Sequence, residues 1–411
     1  MRNLFLSVVL LLSSGITSAE SLLIANASLI ERGSSSDVTH DILISDGVIS
    51  RIAEDLTETP ADNVIDAAGR PVTSAFFAGI TAMGLTEIGM VSDTVDSRLM
   101  DLYTGLIHPE FDVRDAFNPH SSAIPVTRIE GFGYTLLAAS PGDRPLSGHG
   151  SLVRLDGGYN SFEGVPVMYA NVDGAAGDKL GGSRAASWML LNAIFAELTT
   201  PDKDLKLITP QGKSALSAAK KNGIFIFRAH RASDIVRVLA FASEYNLQAV
   251  ISGGQEAWIV RQPLARAKVP VIINALDNLP QSFDALGARL DNAALLHEAG
   301  VTVLFTSGAT HNARKLRQVV GNAVAYGLPH KTALAAMTSI PASLFGGIER
   351  SLQSGSRADL VIWSGDPLDV TSAADSVIIG GALDTMQSRQ TKLLQRYLSE
   401  EPNKGRAYIN P

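Results

Sequence analysis

From residue 223 to residue 326 the chain repeats one pattern, a strand-sized apolar run followed by a helix-length segment. Gly223-Ile-Phe-Ile-Phe227 precedes a helical stretch from Ser233 that carries Asp234 near its start, and Leu247-Gln-Ala-Val-Ile251 precedes Glu256-Ala-Trp-Ile-Val-Arg. Val269-Pro-Val-Ile-Ile273 is followed by Asp291 to Gly300, and Val301-Thr-Val-Leu-Phe305 by a helix around Leu316 to Tyr326. Strands spaced by roughly 25 residues with helices between them specify parallel βα units, because each helix carries the chain back to start the next strand in the same direction. A closed (β/α)8 barrel and an open doubly wound sheet both satisfy this pattern.

The two ends read differently. Leu22-Leu-Ile-Ala25, Asp41-Ile-Leu-Ile44 and Val48-Ile-Ser-Arg-Ile52 are strand-like, and Asp46-Gly47 between the last two marks a tight hairpin. Ala358-Asp-Leu-Val-Ile-Trp363, the Gly365-Asp-Pro367 turn and Val377-Ile-Ile-Gly-Gly381 repeat that β character at the far end. Matching β patterns around a different middle predict that the ends pair into one sheet.

The first residues, MRNLFLSVVLLLSSGITSAES, place Arg2 before the apolar run Leu4–Leu12 and the small residues Thr17, Ser18 and Ala19. This order describes a secretory signal peptide over residues 1–19, and the run is too short for a spanning helix. With no cysteine in the chain, disulfides, thiolate catalysis and a lipidated cysteine are excluded, and the expected location is periplasmic or secreted. A net charge of -7 without a basic cluster argues against nucleic acid as a partner, and no later run suits a membrane span once the signal is cleaved. The 411 residues, 45% hydrophobic, suffice for a large globular core.

Four segments together resemble the imidazolonepropionase-like branch of the amidohydrolase superfamily. They are Asp41-Ile-Leu-Ile-Ser-Asp-Gly-Val-Ile-Ser-Arg-Ile with Val64-Ile-Asp-Ala-Ala-Gly-Arg-Pro-Val-Thr, then His311-Asn-Ala-Arg-Lys-Leu-Arg, then Thr338-Ser-Ile-Pro-Ala-Ser-Leu-Phe-Gly346, and Gly355-Ser-Arg-Ala-Asp-Leu-Val-Ile-Trp with Gly365-Asp-Pro-Leu368. The resemblance implies an α/β chain with a TIM-like (β/α)8 barrel over residues 74–349. It also implies a small β-sandwich composed of residues 20–73 and 350–385, with a C-terminal helix and tail over 386–411. The family activity is hydrolysis of carbon–nitrogen bonds other than peptide bonds.

The family places His-x-His at the end of the first barrel strand, where alternate residues face the same side and two imidazoles share one ion. The matching stretch here puts Ile80 and Ala82 at those positions. Later family ligands fall on Arg228 and Gly253, and the catalytic aspartate of the last strand falls on Gly308. The family's bridging lysine or glutamate has no clear counterpart. A permanent guanidinium cation at residue 228 repels a divalent ion, so the expectation is a site without metal or other cofactor.

Polar residues at the C-terminal ends of the barrel strands are then the candidate site. His230, His311, Glu256 and Asp277 are candidate acid/base groups, and Glu87, Arg228, Arg231, Asn278, Asn312 and Arg314 are candidate ligand-binding groups. Each also has a plainer reading. Glu87 and Glu256 can cap helices, Asn312 and Arg314 can cap the helix that follows, and Arg228 can form a structural ion pair with Glu256 or Asp277. The remaining histidines, His40, His108, His120, His149, His297 and His330, read as surface residues, although the Ser147-Gly-His-Gly loop is placed to reach the barrel mouth. Three functions stay open: a metal-free binder of a small polar or anionic molecule, or non-standard hydrolase; a hydrolase with one rebuilt zinc on His230, His311 and Glu256; and a non-catalytic subunit of an assembly. A homo-oligomer is compatible with each.

Overall fold

The computed structural model describes residues 21–32, 38–99, 107–140, 144–174, 182–199 and 206–398. The signal-like segment and residues 399–411 lie outside them. The first strands are β1 (Leu22–Leu29), β2 (Thr39–Ser45), β3 (Val48–Ala53), β4 (Asn63–Asp66) and β5 (Pro71–Ser74). The Asp46-Gly47 hairpin forms with Ser45 opposite Val48. Both turn residues take positive φ, 53° and 76°, the left-handed backbone that twists in register with its strands and that glycine adopts without a Cβ penalty.

The chain then enters the barrel sheet almost without a break, through β6 (Phe76–Thr81), β7 (Phe132–Leu137), β8 (Leu146–Arg154), β9 (Phe162–Asn171), β10 (Ile224–Ala229), β11 (Ala249–Gly253), β12 (Val271–Ile273) and β13 (Val303–Phe305). It returns through β14 (Leu360–Trp363), β15 (Ala374–Ile379) and β16 (Ala382–Leu383) to the first sheet, whose order is β16-β15-β14-β5-β1-β2-β3 with β4 on β1. Both ends therefore share one sheet, joined where β14 lies antiparallel on β5, Val361 opposite Thr73.

The barrel sheet runs β13-β12-β11-β10-β9-β8-β7-β6, one nearly closed eight-stranded sheet. Seven strands are parallel, but β8 is antiparallel to both β7 and β9. That departs from eight uniform βα units: a hairpin, with no crossover helix, supplies one strand. The seam between β13 and β6 is bridged by a hydroxyl, because Thr306 Oγ1 lies 3.3 Å from both Ile80 N and Ile80 O.

Alternation along the strands explains the two cores. Ile224 and Ile226 of β10 point into the barrel with Phe77, Tyr134, Leu136, Leu152, Val167, Val250, Ile272 and Leu304. Phe225 and Phe227 point outward and pack on helices Ala232–Tyr245 and Arg184–Thr199 through Phe241 and Phe195. Those helices carry Ile235, Val238 and Leu191 at helical spacing, so one face of each is buried. Every fully buried Leu, Ile or Phe of these layers contributes about 1.5–3 kcal/mol.

Buried charges tie the two sheets together. Arg350 is wholly buried, with Nη1 2.6 Å from Glu163 Oε1 of β9, Nε 3.5 Å from Asp359 Oδ2, and its guanidinium carbon 4.0 Å from the Tyr134 ring centre. Trp363 of β14 stacks on Phe76 of β6 at 5.1 Å, and its Nε1–H donates to Thr73 Oγ1 at 2.9 Å. The terminal sheet thereby fixes the strand that carries Ile80.

Candidate functional site

Extending the two-residue period past the inner core brings one residue per strand to the barrel mouth. In β10 the inward series Ile224, Ile226 continues as Arg228, then His230; in β9, Val167 and Tyr169 continue as Asn171, then Asp173. Ser252, Asn274 and Thr306 follow the inward residues Val250, Ile272 and Leu304 in the same way. Asn171, Arg228, His230, Ser252, Asn274 and Thr306, together with Ile80 and Gly308, surround a cavity of about 240 Å³, with Tyr169 and Ile226 one step deeper along their strands, Ser147 and Asp277 beside them, and Ala138, Ala139 and Ala170 making it partly apolar. Its size suits a small molecule.

Arg228 is 46% exposed, and its Nε lies 2.8 Å from Oδ2 of the buried Asp173. The expected partners, Glu256 or Asp277, are not the ones used. Asp277 accepts from Asn274 Nδ2 at 2.9 Å on the opposite rim. Asp173 itself is steadied by its neighbour, since Gly174 N–H donates to Asp284 Oδ2 at 2.7 Å and Asp284 pairs with Arg184. A carboxylate beside Arg228 keeps the guanidinium in place while leaving part of it open to the cavity.

His230 is the most unusual residue of the cavity. Its Nδ1 is buried and makes no hydrogen bond among the described residues. Burial, assisted by the Arg228 charge, holds its pKa below the ordinary imidazole range, opposed by Asp173, Asp277 and Asp284. Its ring lies against Gly253, where a Cβ would fall 2.5 Å from His230 Cε1 and where φ is +99°. Residue 253 is thus a glycine whose missing side chain leaves room for the imidazole. The hydroxyl of Tyr169 is likewise buried and unpaired, and burial pushes its pKa well above the usual phenol value. An unpaired buried polar group costs about 1–3 kcal/mol. Both belong to residues that line one cavity.

Of the sequence-derived candidates, the structure brings Arg228, His230 and Asp277 together with Ile80, Gly253 and Gly308. It does not bring the others. Glu256 spends both carboxylate oxygens on main-chain N–H groups, Oε2 on Ala232 and Oε1 on Gly287, each at 3.0 Å, so it caps the helix Ala232–Tyr245 and holds a loop. Arg231 turns to Asp234 at 2.9 Å. Glu87 is exposed and accepts from Ser122 Oγ at 3.0 Å. His311 is exposed, and with Asn312 and Arg314 lies in the 3-10 turn Thr310–Lys315; none of the three lines the cavity, nor do Asn278 and Ala82. The main chain of Ala82 donates instead to Thr310 Oγ1 at 2.9 Å.

Three histidines expected at the surface are partly buried instead, among them His40, whose Nδ1 is buried and without a partner among the described residues. His149 lies in β8, with a buried, unpaired Nε2 and a pKa lowered by burial, and the side chain of His108, 3.0 Å from Glu110, is only 11% exposed. Tyr169, Asn171 and Asp173 are not among the sequence candidates, yet Val165-Pro-Val-Met-Tyr-Ala-Asn-Val-Asp173, at the end of β9, carries the same alternating signal as the other strand ends. Among the described residues, no group of three or more His, Asp or Glu side chains is disposed to hold a metal ion.

The fold, a barrel whose strand ends surround the cavity, is similar to that of solved structures described as amidohydrolases and dipeptidases. An amidohydrolase from Thermotoga maritima MSB8 superimposes with a TM-score of 0.78 at 21% identity, over 88% of this chain and 99% of that one. Molinate hydrolase gives a TM-score of 0.55 at 12% identity, over 90% and 95%. A Xaa-Pro dipeptidase with methionine bound in its active site gives 0.54 at 15%, over 89% and 99%. In sequence, Amidohydrolase tasK of Hapsidospora irregularis is 26% identical over 175 residues, 41% of this chain, and the match spans only 18% of that protein. No protein-family model matches the chain.

Proposed function

We propose that this protein binds a small polar or anionic molecule in the barrel cavity without a metal ion. The observation that carries this reading is a cavity lined by Arg228, His230 and Tyr169, the last two of which hold a buried polar atom, Nδ1 and Oη, without a hydrogen-bond partner among the described residues. A ligand with an anionic oxygen accepts from the guanidinium and the phenol, and satisfies groups that the empty cavity leaves without partners. The donor set does not suit a metal: Ile80, Gly253 and Gly308 supply no ligand atoms, and a fixed cation occupies the same cavity. Zinc on His230, His311 and Glu256 has no support in the placement of the last two.

Any hydrolysis of a carbon–nitrogen bond would rest on His230 as the base, with Arg228 and Tyr169 polarising the carbonyl. The imidazolonepropionase-like branch, a β-sandwich formed from both termini and export to the periplasm or beyond belong to the same reading, supported by the quoted segments and the signal-like N-terminus. The decisive experiment combines elemental analysis of the purified protein with thermal-shift screening of small carboxylates, lactams and amides, before and after chelator. The expected result is no stoichiometric metal, and ligand stabilisation that the chelator leaves unchanged. One equivalent of tightly held zinc, lost with binding on chelation, overturns the proposal.

A further inference from the structure

The charges that line the cavity do not cancel. Arg228 Nε stands 2.8 Å from the buried carboxylate of Asp173, so that pair is close to neutral. Asp277 lines the same cavity and has no cationic partner among the described residues; its Oδ1 accepts from the uncharged amide of Asn274 at 2.9 Å. His230 does not supply the missing charge, because burial and the Arg228 cation keep its imidazole neutral at neutral pH. The other charges around the mouth are already matched. Asp284 meets Arg184, Arg184 also meets Asp234, and Arg231 meets the second oxygen of Asp234. Glu256 is held by two main-chain N–H groups. A cavity with one carboxylate left over disfavours a purely anionic occupant and favours one that brings a cation.

Arg228 can still serve an anionic group. A guanidinium has five N–H donors in a fork, and about half of this side chain is exposed, so it can hold Asp173 and donate to a ligand as well. One step deeper, the buried hydroxyl of Tyr169 is a further donor without a partner. Arg228 and Asp277 stand apart. Arg228 lies near the end of β10 and Asp277 follows β12, with β11 between those strands. Neighbouring strands are about 4.8 Å apart, so the two charges rise from strands about 10 Å apart. Ile80, Ala138, Ala139, Ala170 and Ile226 give the rest of the lining an apolar character.

We propose that the cavity takes a small zwitterion whose carboxylate and ammonium are separated by a short hydrocarbon chain. The carboxylate meets Arg228 and Tyr169, the ammonium meets Asp277, and the methylenes lie against the alanines and isoleucines. This inference rests on the cavity reading and narrows it, from a polar or anionic molecule to an ω-amino acid. Such a ligand pairs both of its charges and neutralises the carboxylate left over in the cavity. A simple carboxylate would leave Asp277 unpaired beside a second anion. An α-amino acid carries its two charges on adjacent atoms of one end and does not bridge residues that stand on opposite rims.

The test is calorimetric titration of the protein with γ-aminobutyrate, δ-aminovalerate and ε-aminocaproate. Each is compared with its α-amino isomer, which has the same atoms, with the fatty acid that lacks the ammonium, and with the alkylamine that lacks the carboxylate. The expected result is that one ω-amino acid binds at least about tenfold tighter than its three controls, since a hydrogen bond to a charged group is worth about that factor or more. In Asp277→Asn, which keeps an acceptor for Asn274, the preference over the fatty acid should vanish. In Arg228→Gln the preference over the alkylamine should vanish. Equal affinity for the α-amino isomer, the fatty acid or the alkylamine overturns the inference, as does an Asp277→Asn protein that keeps the parent's preference. If none of these compounds binds while the wider screen of carboxylates, lactams and amides yields a chelator-resistant ligand, this inference falls and the cavity reading stands. If that screen also yields nothing, both fall.

Discussion

Gly253→Ala tests the packing of His230 directly. A Cβ at residue 253 would meet His230 Cε1 at 2.5 Å, Nδ1 at 2.8 Å and Nε2 at 3.0 Å, all inside van der Waals contact. The ring has to move, at a cost of about 1–3 kcal/mol for overpacking. The backbone adds a separate cost, because φ of +99° suits no alanine; a side chain forced there costs about 1–3 kcal/mol. The sum is about 2–6 kcal/mol. For a chain of 411 residues the unfolding entropy near the midpoint is about 0.8–0.9 kcal/mol/K, so the midpoint falls by roughly 2–7 °C. The two costs separate in a double-mutant cycle with His230→Ala. Removing the imidazole relieves the clash and leaves the backbone strain, so Gly253→Ala should be milder by about 1–3 kcal/mol in that background. Urea unfolding of the four proteins measures the coupling. A coupling within about 0.5 kcal/mol of zero refutes the claim that glycine stands at residue 253 to seat the ring.

Further outcomes follow from the same geometry. Arg228→Ala should weaken binding of an anionic cavity ligand by about 10- to 100-fold, the worth of one charge-assisted hydrogen bond, read by calorimetry with Arg228→Lys as the partial-rescue control. His230 has a folded pKa below its unfolded value, so the unfolded chain takes up the proton first. Its stabilising contribution is complete above about pH 6.5 and is lost as pH falls from there toward the folded pKa. His149, lowered by burial in the same way, adds to that acid-side loss. His230→Gln should flatten part of it in stability-against-pH curves, and an unchanged curve contradicts the assignment. Arg350→Ala removes the cation that Glu163 and Asp359 share but leaves Arg154 3.7 Å from Glu163 and Arg357 2.9 Å from Asp359, so it should cost about 1–3 kcal/mol in chemical unfolding; a loss under about 0.5 kcal/mol would show that Arg350 is not needed to hold the two sheets.

The repeated run-then-helix pattern from Gly223 to Tyr326 determines parallel βα units because hydrophobic period and chain reversal are both local properties. The Asp46-Gly47 turn is equally legible, since a two-residue hairpin needs positive φ at both positions. Strand-end counting also reaches Arg228, His230 and Asp277, because side chains alternate in and out along any strand. What sequence spacing does not carry is which ends converge. Glu256 and Arg231 sit at the same strand ends as the cavity residues, yet main-chain N–H groups and Asp234 claim them. Arg228 finds its carboxylate in Asp173, 55 residues earlier, because β9 and β10 lie side by side, with Asn171 opposite Arg228. The antiparallel β8 could not be foreseen, since strand direction is set by the neighbour and not by the strand's own residues. Composition and period decide which segments fold and which way each side chain faces; only the closure of the barrel decides which of those side chains share a cavity.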